Sequence, residues 1–364
     1  MTRAQRGEPI IERPGWSEAE RRDRDHVSRV AREWVEACDS PLYVHLALEC
    51  AEDPRMLDLI GRIDNVPPLN LLFGAVKLSL DVADPLAQWY PHLAGADARP
   101  VDADAFPAFR DFALERADWI AEVGRTRRTQ TNEVGRCAAI LPWLVTEASR
   151  ITADAGLPPG SPVHLVDVGA SAGLNLCLDR FDYDYGGAVV AARNPGSARV
   201  VLECENRGGF ALPDAPPAIG ARIGLDLEPL DATDPGDAAW LEALVWPEHQ
   251  ERLERLRAAI ALRRETELTM VAGDATRTLA SLAASLPPGP ILVFHTIMAY
   301  QLDEPQQVAL DAAVAALASS RPVARIALEP VGITKRPEVR IGLRLADAEV
   351  VARAHAHGRW LEQA

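Results

Sequence analysis

The sequence is short of lysine, of paired cysteines and of long apolar runs. Of its 38 basic residues only Lys77 and Lys335 are lysine, and 53 acidic residues leave a net charge of −15 at pH 7. So large a deficit of positive charge speaks against a nucleic-acid partner, because that binding draws most of its affinity from neutralised phosphates. The arginine-for-lysine bias, with abundant alanine, reads as the mark of a G+C-rich genome and assigns no function. Cys38, Cys50, Cys137, Cys177 and Cys204 are scattered and odd in number, in neither C-x-x-C nor zinc spacing. No metal site is expected, and buried free thiols are. No uninterrupted apolar stretch approaches the ~18 residues of a membrane span. The charged opening MTRAQRGEPIIERPGWSEAERRDRD lacks the apolar run of a signal peptide. A cytoplasmic protein with no membrane contact is expected.

What is present is an ordinary globular composition, 48% hydrophobic and 25% charged over 364 residues, enough for two structural parts. The chain changes character near residue 160, predicting a helical cap domain over 1–158 and an α/β domain over 159–364. In the first part, Ala19–Cys38, Phe106–Val123 and Val134–Ile151 repeat apolar residues at three and four, as helices do. Proline-rich breaks such as Asn65-Val-Pro-Pro and Tyr90-Pro-His separate them. In the second part, strands are expected at Val163–Val168, Arg199–Cys204, Arg222–Leu227, Leu268–Val271, Ile291–Phe294 and Val323–Leu328. Helices are expected at Ala172–Phe181, Asp237–Leu262, Ala275–Leu286 and Glu304–Ser319. Val339–Leu345 and Val350–Ala356 would form a last antiparallel pair. Strands alternating with helices of this length predict a doubly wound, mostly parallel sheet.

The stretch Leu165–Asn175, LVDVGASAGLN, parses in two ways. As G-x-S-x-G it is the elbow of a serine esterase or hydrolase with Ser171 as nucleophile. Its acid would be Asp274 or Glu329 and its base His355 or His357. That elbow normally follows several strands, however, and here it follows the first. As a Gly-rich strand-to-helix turn it brings Gly169, Ser171 and Gly173 against a nucleotide cofactor, with Asn175 beside them. Asp167, two residues before Gly169, suits a ligand carrying an ammonium and a sulfonium. A pyrophosphate at a helix N-terminus needs no such acid, so S-adenosylmethionine stands ahead of NAD(P). Asp226 closes a later strand, where it would accept the ribose hydroxyls. Asp274 closes the next, where it would hold the adenine amino group or simply cap a helix. Asp226 lies 53 residues beyond Gly173, against about 20 in a plain unit. The excess predicts a hairpin inserted around 182–220, and leaves Glu203 or Glu205 as rival ribose acids.

These residues carry two resemblances. Residues 160–364 resemble a class I S-adenosylmethionine-dependent methyltransferase, which implies a Rossmann-like sheet with a reversed C-terminal strand supplied by the final strand pair. The whole chain resembles a bacterial family of uncharacterised proteins, common in actinobacteria, with this fold behind a helical N-terminal region. That likeness rests on Arg127–Cys137 (RRTQTNEVGRC), LVDVGASAGLNL, Leu244–His249 (LVWPEH), Gly273–Ala275 (GDA) and Val293–His295 (VFH). It implies no substrate.

Methyl transfer needs an acceptor held in line and, where the nucleophile carries a proton, a base to remove it. His295 at the end of a strand is the expected base, with Tyr300 and Glu133 as further catalytic candidates. The arginine-rich run Arg125–Arg136 reads as a solvated helix end or as a lid. In the lid, Arg127, Arg128 or Arg136 would pair with an acidic acceptor and Asn132 would reach the ligand. Tyr183 and Tyr185 flank the insertion and would line the site or pack. The expected activity is methylation of a small polar or acidic metabolite. An NAD(P)-binding enzyme, a Ser171 hydrolase and a non-catalytic cofactor-binding protein stand as alternatives.

Overall fold

Val163–Val168 (β1) is buried at all six positions, as is Ile291–Thr296 (β8), and the two pair in parallel. Strands with no exposed face need cover on both sides of the sheet. The structure, a computed structural model, describes residues 17–331 and 336–364. Between β1 and β8 lie Asp182–Asp184 (β2), Val189–Val190 (β3), Val201–Glu203 (β4), Glu205–Asn206 (β5), Ile219–Asp226 (β6) and Thr269–Ala272 (β7). Val323–Val331 (β9), Arg336–Ile341 (β10), Glu349–Ala354 (β11) and Trp360–Glu362 (β12) follow. The large sheet runs β5-β12-β11-β10-β9-β8-β1-β6-β7. Its half from β7 to β9 is parallel, and β10, β11 and β12 continue antiparallel. The chain leaves β1 toward β6 and β7, then returns to β8 and β9 on the other side. In open α/β sheets such a reversal marks the crevice where ligands sit, at the carboxyl ends of the strands on either side, here β1 and β8.

One face of the sheet packs Val166, Val168, Ile223, Leu225 and Val293 against Leu279 and Leu282 of the helix Ala275–Ser285 and Leu310, Val314 and Leu317 of the helix Glu304–Ala318. The helix Arg136–Asp154 packs on β8 and β9. The chain divides into two compact units. One comprises the residues up to Thr131 with Ala239–Leu253, the other Asn132–Ala238 with Glu254–Ala364. The Arg136–Asp154 helix, grouped by its periodicity with the N-terminal helices, thus falls in the unit of the sheet.

Several expected elements differ in detail. Ala172–Phe181 is no α-helix: Leu174–Arg180 is a 3-10 segment interrupted at Cys177. Asp237–Leu262 is two helices, Pro235–Ala243 and Gln250–Arg264, parted by the LVWPEH stretch. The 182–220 insertion is a small sheet, β3-β2-β4, with β5 joined instead to the far edge of the large one. β10 hairpins antiparallel onto β9 and is extended by β11 and β12.

In the first unit, prolines start the helices Pro41–Cys50, Pro54–Ile60 and Pro68–Ser79, where a missing N–H is harmless. Asp23 and Arg116 divide the expected long helices into Glu18–Arg22 with Arg24–Trp34 and Ala105–Glu115 with Ala117–Thr126. Glu248 of LVWPEH accepts from Ser40 Oγ and the Leu42 N–H. Lys77 is buried, its Nζ donating to the carbonyls of Glu242 and Val245 at 3.0 and 2.6 Å, which satisfies orphan acceptors at a helix end. All five cysteines are free thiols, and burial pushes Cys38 up to about 11. No helix among the described residues is long and apolar enough to cross a membrane.

Candidate functional site

The loop after β1 has a left-handed backbone at Gly169 (φ +78°), Ser171 (+54°) and Gly173 (+76°). Gly169 is required for a second reason: a Cβ there would lie 2.4 Å from Met298 Cγ. Every backbone N–H from 169 to 174 already has an acceptor. Gly169 and Ala170 donate to the Leu225 carbonyl and Gly173 to that of Ala170. Ser171 donates to Asp226 Oδ2 at 2.9 Å, and Ala172 and Leu174 both donate to Asn132 Oδ1 at 3.2 and 3.0 Å. Asn132, expected to touch a ligand, instead ties down the loop. Asp226, at the end of β6, is also fixed, its Oδ1 accepting the Glu228 N–H.

Against these spent donors stand two buried acceptors. Asp167 is 2% exposed, and its Oδ2 has no hydrogen-bond partner among the described residues. Asn175, 3% exposed, has an Oδ1 in the same condition. Burial holds the Asp167 carboxyl well above the usual carboxylate range, with repulsion from Asp226 adding to the rise and Arg136 opposing it. Buried polar atoms are nearly always paired, and a desolvated acid beside a second carboxylate in a crevice is a mark of function.

Backbone strain converges on the same place. Among the described residues three non-glycines have positive φ: Asn132 (+35°), Ser171 and Ile297 (+53°). Asn132 holds the loop, Ser171 is in it, and Ile297 precedes the Met298 that packs on Gly169. A left-handed β-branched residue such as Ile297 costs about 1–3 kcal/mol and persists only where its surroundings over-determine it.

Those surroundings are a buried polar network. His295 Nδ1 lies 2.6 Å from Glu329 Oε1, while Arg325 Nε and Nη2 reach His295 Nε2 at 3.0 and 2.9 Å. Arginine only donates, so Nε2 is the acceptor and Nδ1 carries the proton. Arg325 also pairs with Asp311. Glu329 accepts the N–H groups of Met298 and Ala299, which fixes the turn after Ile297. Burial, aided by Arg325, lowers the His295 pKa. The expected base is therefore a neutral imidazole with both nitrogens engaged, leaving no lone pair for an acceptor's proton. The sequence offered no sign of this network, since His295, Asp311, Arg325 and Glu329 belong to three separate elements.

Glu133 and Arg136 follow Asn132. Glu133 is buried and its Oε1 accepts the Gly135 N–H at 3.1 Å. Arg136 donates to the carbonyls of Thr296 and Ala356, each at 3.0 Å. Arg127 and Arg128 fall in the first unit, where their carbonyls accept from Asn65 and Trp240. The run read as one lid thus divides between the units. Tyr300 is exposed. Asp274 caps the helix Ala275–Ser285 through the Thr276 N–H and hydroxyl. Glu203 and Glu205 are exposed, on the small sheet and the far sheet edge. Tyr183 and Tyr185 are buried, donating to the carbonyls of Leu178 and Ala138, and so pack. Of the acids and bases a hydrolase would draw on, Glu329 is taken by His295, and Asp274 by its cap. Among the described residues no group of histidines, cysteines and acids could hold a metal ion.

No curated protein and no solved structure matches the chain. The family model described as "Uncharacterized protein conserved in bacteria (DUF2332)" matches residues 24–363. With nearly its whole length covered, from the helix Arg24–Trp34 through the strained loop to β12, the chain belongs to that bacterial family.

Proposed function

We propose that the crevice beyond β1 and β8 binds S-adenosylmethionine, on a Rossmann-like methyltransferase sheet, and that the protein methylates a small polar or acidic metabolite. One observation carries the reading: around the glycine loop the backbone donors are spent, while the buried acceptors Asp167 Oδ2 and Asn175 Oδ1 have none. Such a site suits a ligand that brings donors and positive charge, as the ammonium of a methionine-derived cofactor does. It does not suit a pyrophosphate, which needs free N–H groups, so the dinucleotide alternative loses its anchor. Asp167 and Asn175 would take the ammonium, and Asp226, held by Ser171 and Glu228, would face the ribose hydroxyls. Asn132 and Met298 keep the loop in shape. The bound cofactor supplies an electrophilic methyl group, and the chain's own task is to orient the acceptor and take its proton. The acidic surface fits a small-molecule substrate better than a nucleic acid, and a cytoplasmic site of action accords with it.

Calorimetric titration with S-adenosylhomocysteine tests this. Saturable one-site binding is expected, weakened about 10–150-fold in Asp167→Asn, since a hydrogen bond to a charged group contributes about 1.5–3 kcal/mol. Absence of binding to the wild-type protein refutes it. A second reading has one observation in its favour: the left-handed Ser171 sits on a strained strand-to-helix turn, as a nucleophilic serine does. Hydrolysis of an activated ester, lost in Ser171→Ala, would establish that reading instead. A non-catalytic binder would bind the cofactor and methylate nothing in an acceptor screen.

A further inference from the structure

The strands beside Asp167 set no positive charge against it. Its partners in register are Gly224 on β6 and Phe294 on β8, neither of which offers a charged or donating side chain. The charged group that faces it from β6 is a second acid, Asp226, whose repulsion adds to the cost of ionising it. From the helix Arg136–Asp154 come Arg136 and the Cys137 thiol. Arg136 turns donors to the carbonyls of Thr296 and Ala356, and burial pushes the Cys137 thiol up. Cys137 Sγ also touches the Asn175 carbonyl at 3.8 Å, which brings the side of the loop carrying Asn175 to the same place. Asn175 Oδ1, like Asp167 Oδ2, is a buried acceptor with no donor among the described residues. A carboxylate set among acceptors and away from water takes up a proton in preference to staying ionised and unpaired.

We propose that the empty protein stores a proton on Asp167 and that the ammonium of the ligand takes that proton's place, so that binding releases it. The Asp167 O–H bond breaks, its electron pair stays on the carboxylate, and the proton leaves to solvent. The ligand's positive charge then balances the carboxylate left behind. This rests on the methyl-donor reading above and adds a control to it: the cofactor binds in exchange for a proton. While Asp167 is protonated in the free protein, each unit of pH gained strengthens binding about tenfold; once it is ionised, the dependence ends. The exchange also selects by charge. A neutral ligand gains nothing from the ionised carboxylate and leaves the proton where it is.

Two measurements on the full-length protein test it. The first needs no ligand: carboxyl carbon-13 NMR spectra are followed with pH, the Asp167 resonance being identified by its loss in Asp167→Asn. Asp167 is expected to titrate well above the other aspartates; titration among them overturns the proposal. The second is calorimetric titration with S-adenosylhomocysteine, at a pH below the Asp167 midpoint, in buffers of differing ionisation enthalpy. The dependence of the heat on the buffer is expected to report about one proton released per ligand bound. Affinity is expected to rise about tenfold per pH unit up to that midpoint. Both dependences should vanish in Asp167→Asn. Binding with no proton released, or with a release unchanged in Asp167→Asn, overturns the exchange. The two readings fail separately. S-adenosylhomocysteine binding to a protein whose Asp167 titrates with the other aspartates ends this proposal alone. A high-titrating Asp167 in a protein that binds no S-adenosylhomocysteine supports the stored proton and ends the methyl-donor reading.

Discussion

Asp167→Asn should stabilise the free protein while weakening its ligand. The carboxyl is 2% exposed, faces repulsion from Asp226, and has an oxygen with no donor. A buried polar group left unpaired costs about 1–3 kcal/mol, and an asparagine of the same shape removes the charged form without opening a cavity. The sign follows from linkage. A carboxyl whose folded pKa is raised holds its proton more tightly in the native state. Its penalty is therefore absent below the unfolded value near 3.9, grows as pH rises toward the folded pKa, and is complete above it. The variant lacks that penalty. Its advantage should be nil near pH 4 and reach about 1–3 kcal/mol at pH 8, or about 2–4 °C in Tm per kcal/mol for a unit of this size. Urea and thermal denaturation of both proteins between pH 4 and 8 measure it. A structural acid behaves in the opposite way, losing stability when neutralised. A destabilised Asp167→Asn at pH 8, or a difference that does not change with pH, refutes the claim that this carboxyl is held for a ligand.

Three further outcomes follow from the same geometry. Asn132→Ala leaves the N–H groups of Ala172 and Leu174 without their acceptor and should lower stability by about 2–4 kcal/mol; Asn132→Asp, which keeps the oxygen, should recover most of it in urea denaturation. Gly169→Ala should destabilise by about 2 kcal/mol or more through its left-handed backbone and the Met298 side chain, and adding Met298→Ala should relieve the clash but not the backbone part, as a double-mutant cycle would read. His295, with its pKa lowered by burial and by Arg325, binds protons less readily folded than unfolded. It should therefore subtract stability as pH falls below about 6.5, and His295→Gln should flatten that part of the stability–pH curve.

The sheet was legible because its signal is local. β1 and β8 are short, mostly apolar runs bounded by turn residues, and each strand from β6 to β8 is followed by a helix with its own periodicity. The errors fall where a tertiary contact overrides that signal. Ala172–Phe181 carries a helical pattern, but Arg222 and Tyr183 take the carbonyls of Leu176 and Leu178, and the segment closes into a tighter, broken turn. Asp237–Leu262 reads as one helix until Pro247 interrupts it and Lys77, about 170 residues earlier, takes the carbonyls of Glu242 and Val245.

The site was half legible for the same reason. Residues at the glycine loop announced themselves by type and spacing, so Asp167, Gly169, Ser171 and Gly173 lie together, and Asp226, despite its distance along the chain, meets them through the Ser171 N–H. Residues that reach the loop from elsewhere could be named, but not the contacts they make. His295 looked like a base because it ends a strand beside the crevice, and only Arg325 on the neighbouring strand and Glu329 beyond it show that both its nitrogens are engaged. His357 looked like a remote triad histidine, and Asn132 brings the chain back so that Glu133 lies 3.4 Å from it. Periodicity reports which face of an element is buried, but not which distant polar atom completes it. Among the described residues the three left-handed non-glycines mark where that completion happened, because a strained backbone survives only where contacts from several elements agree.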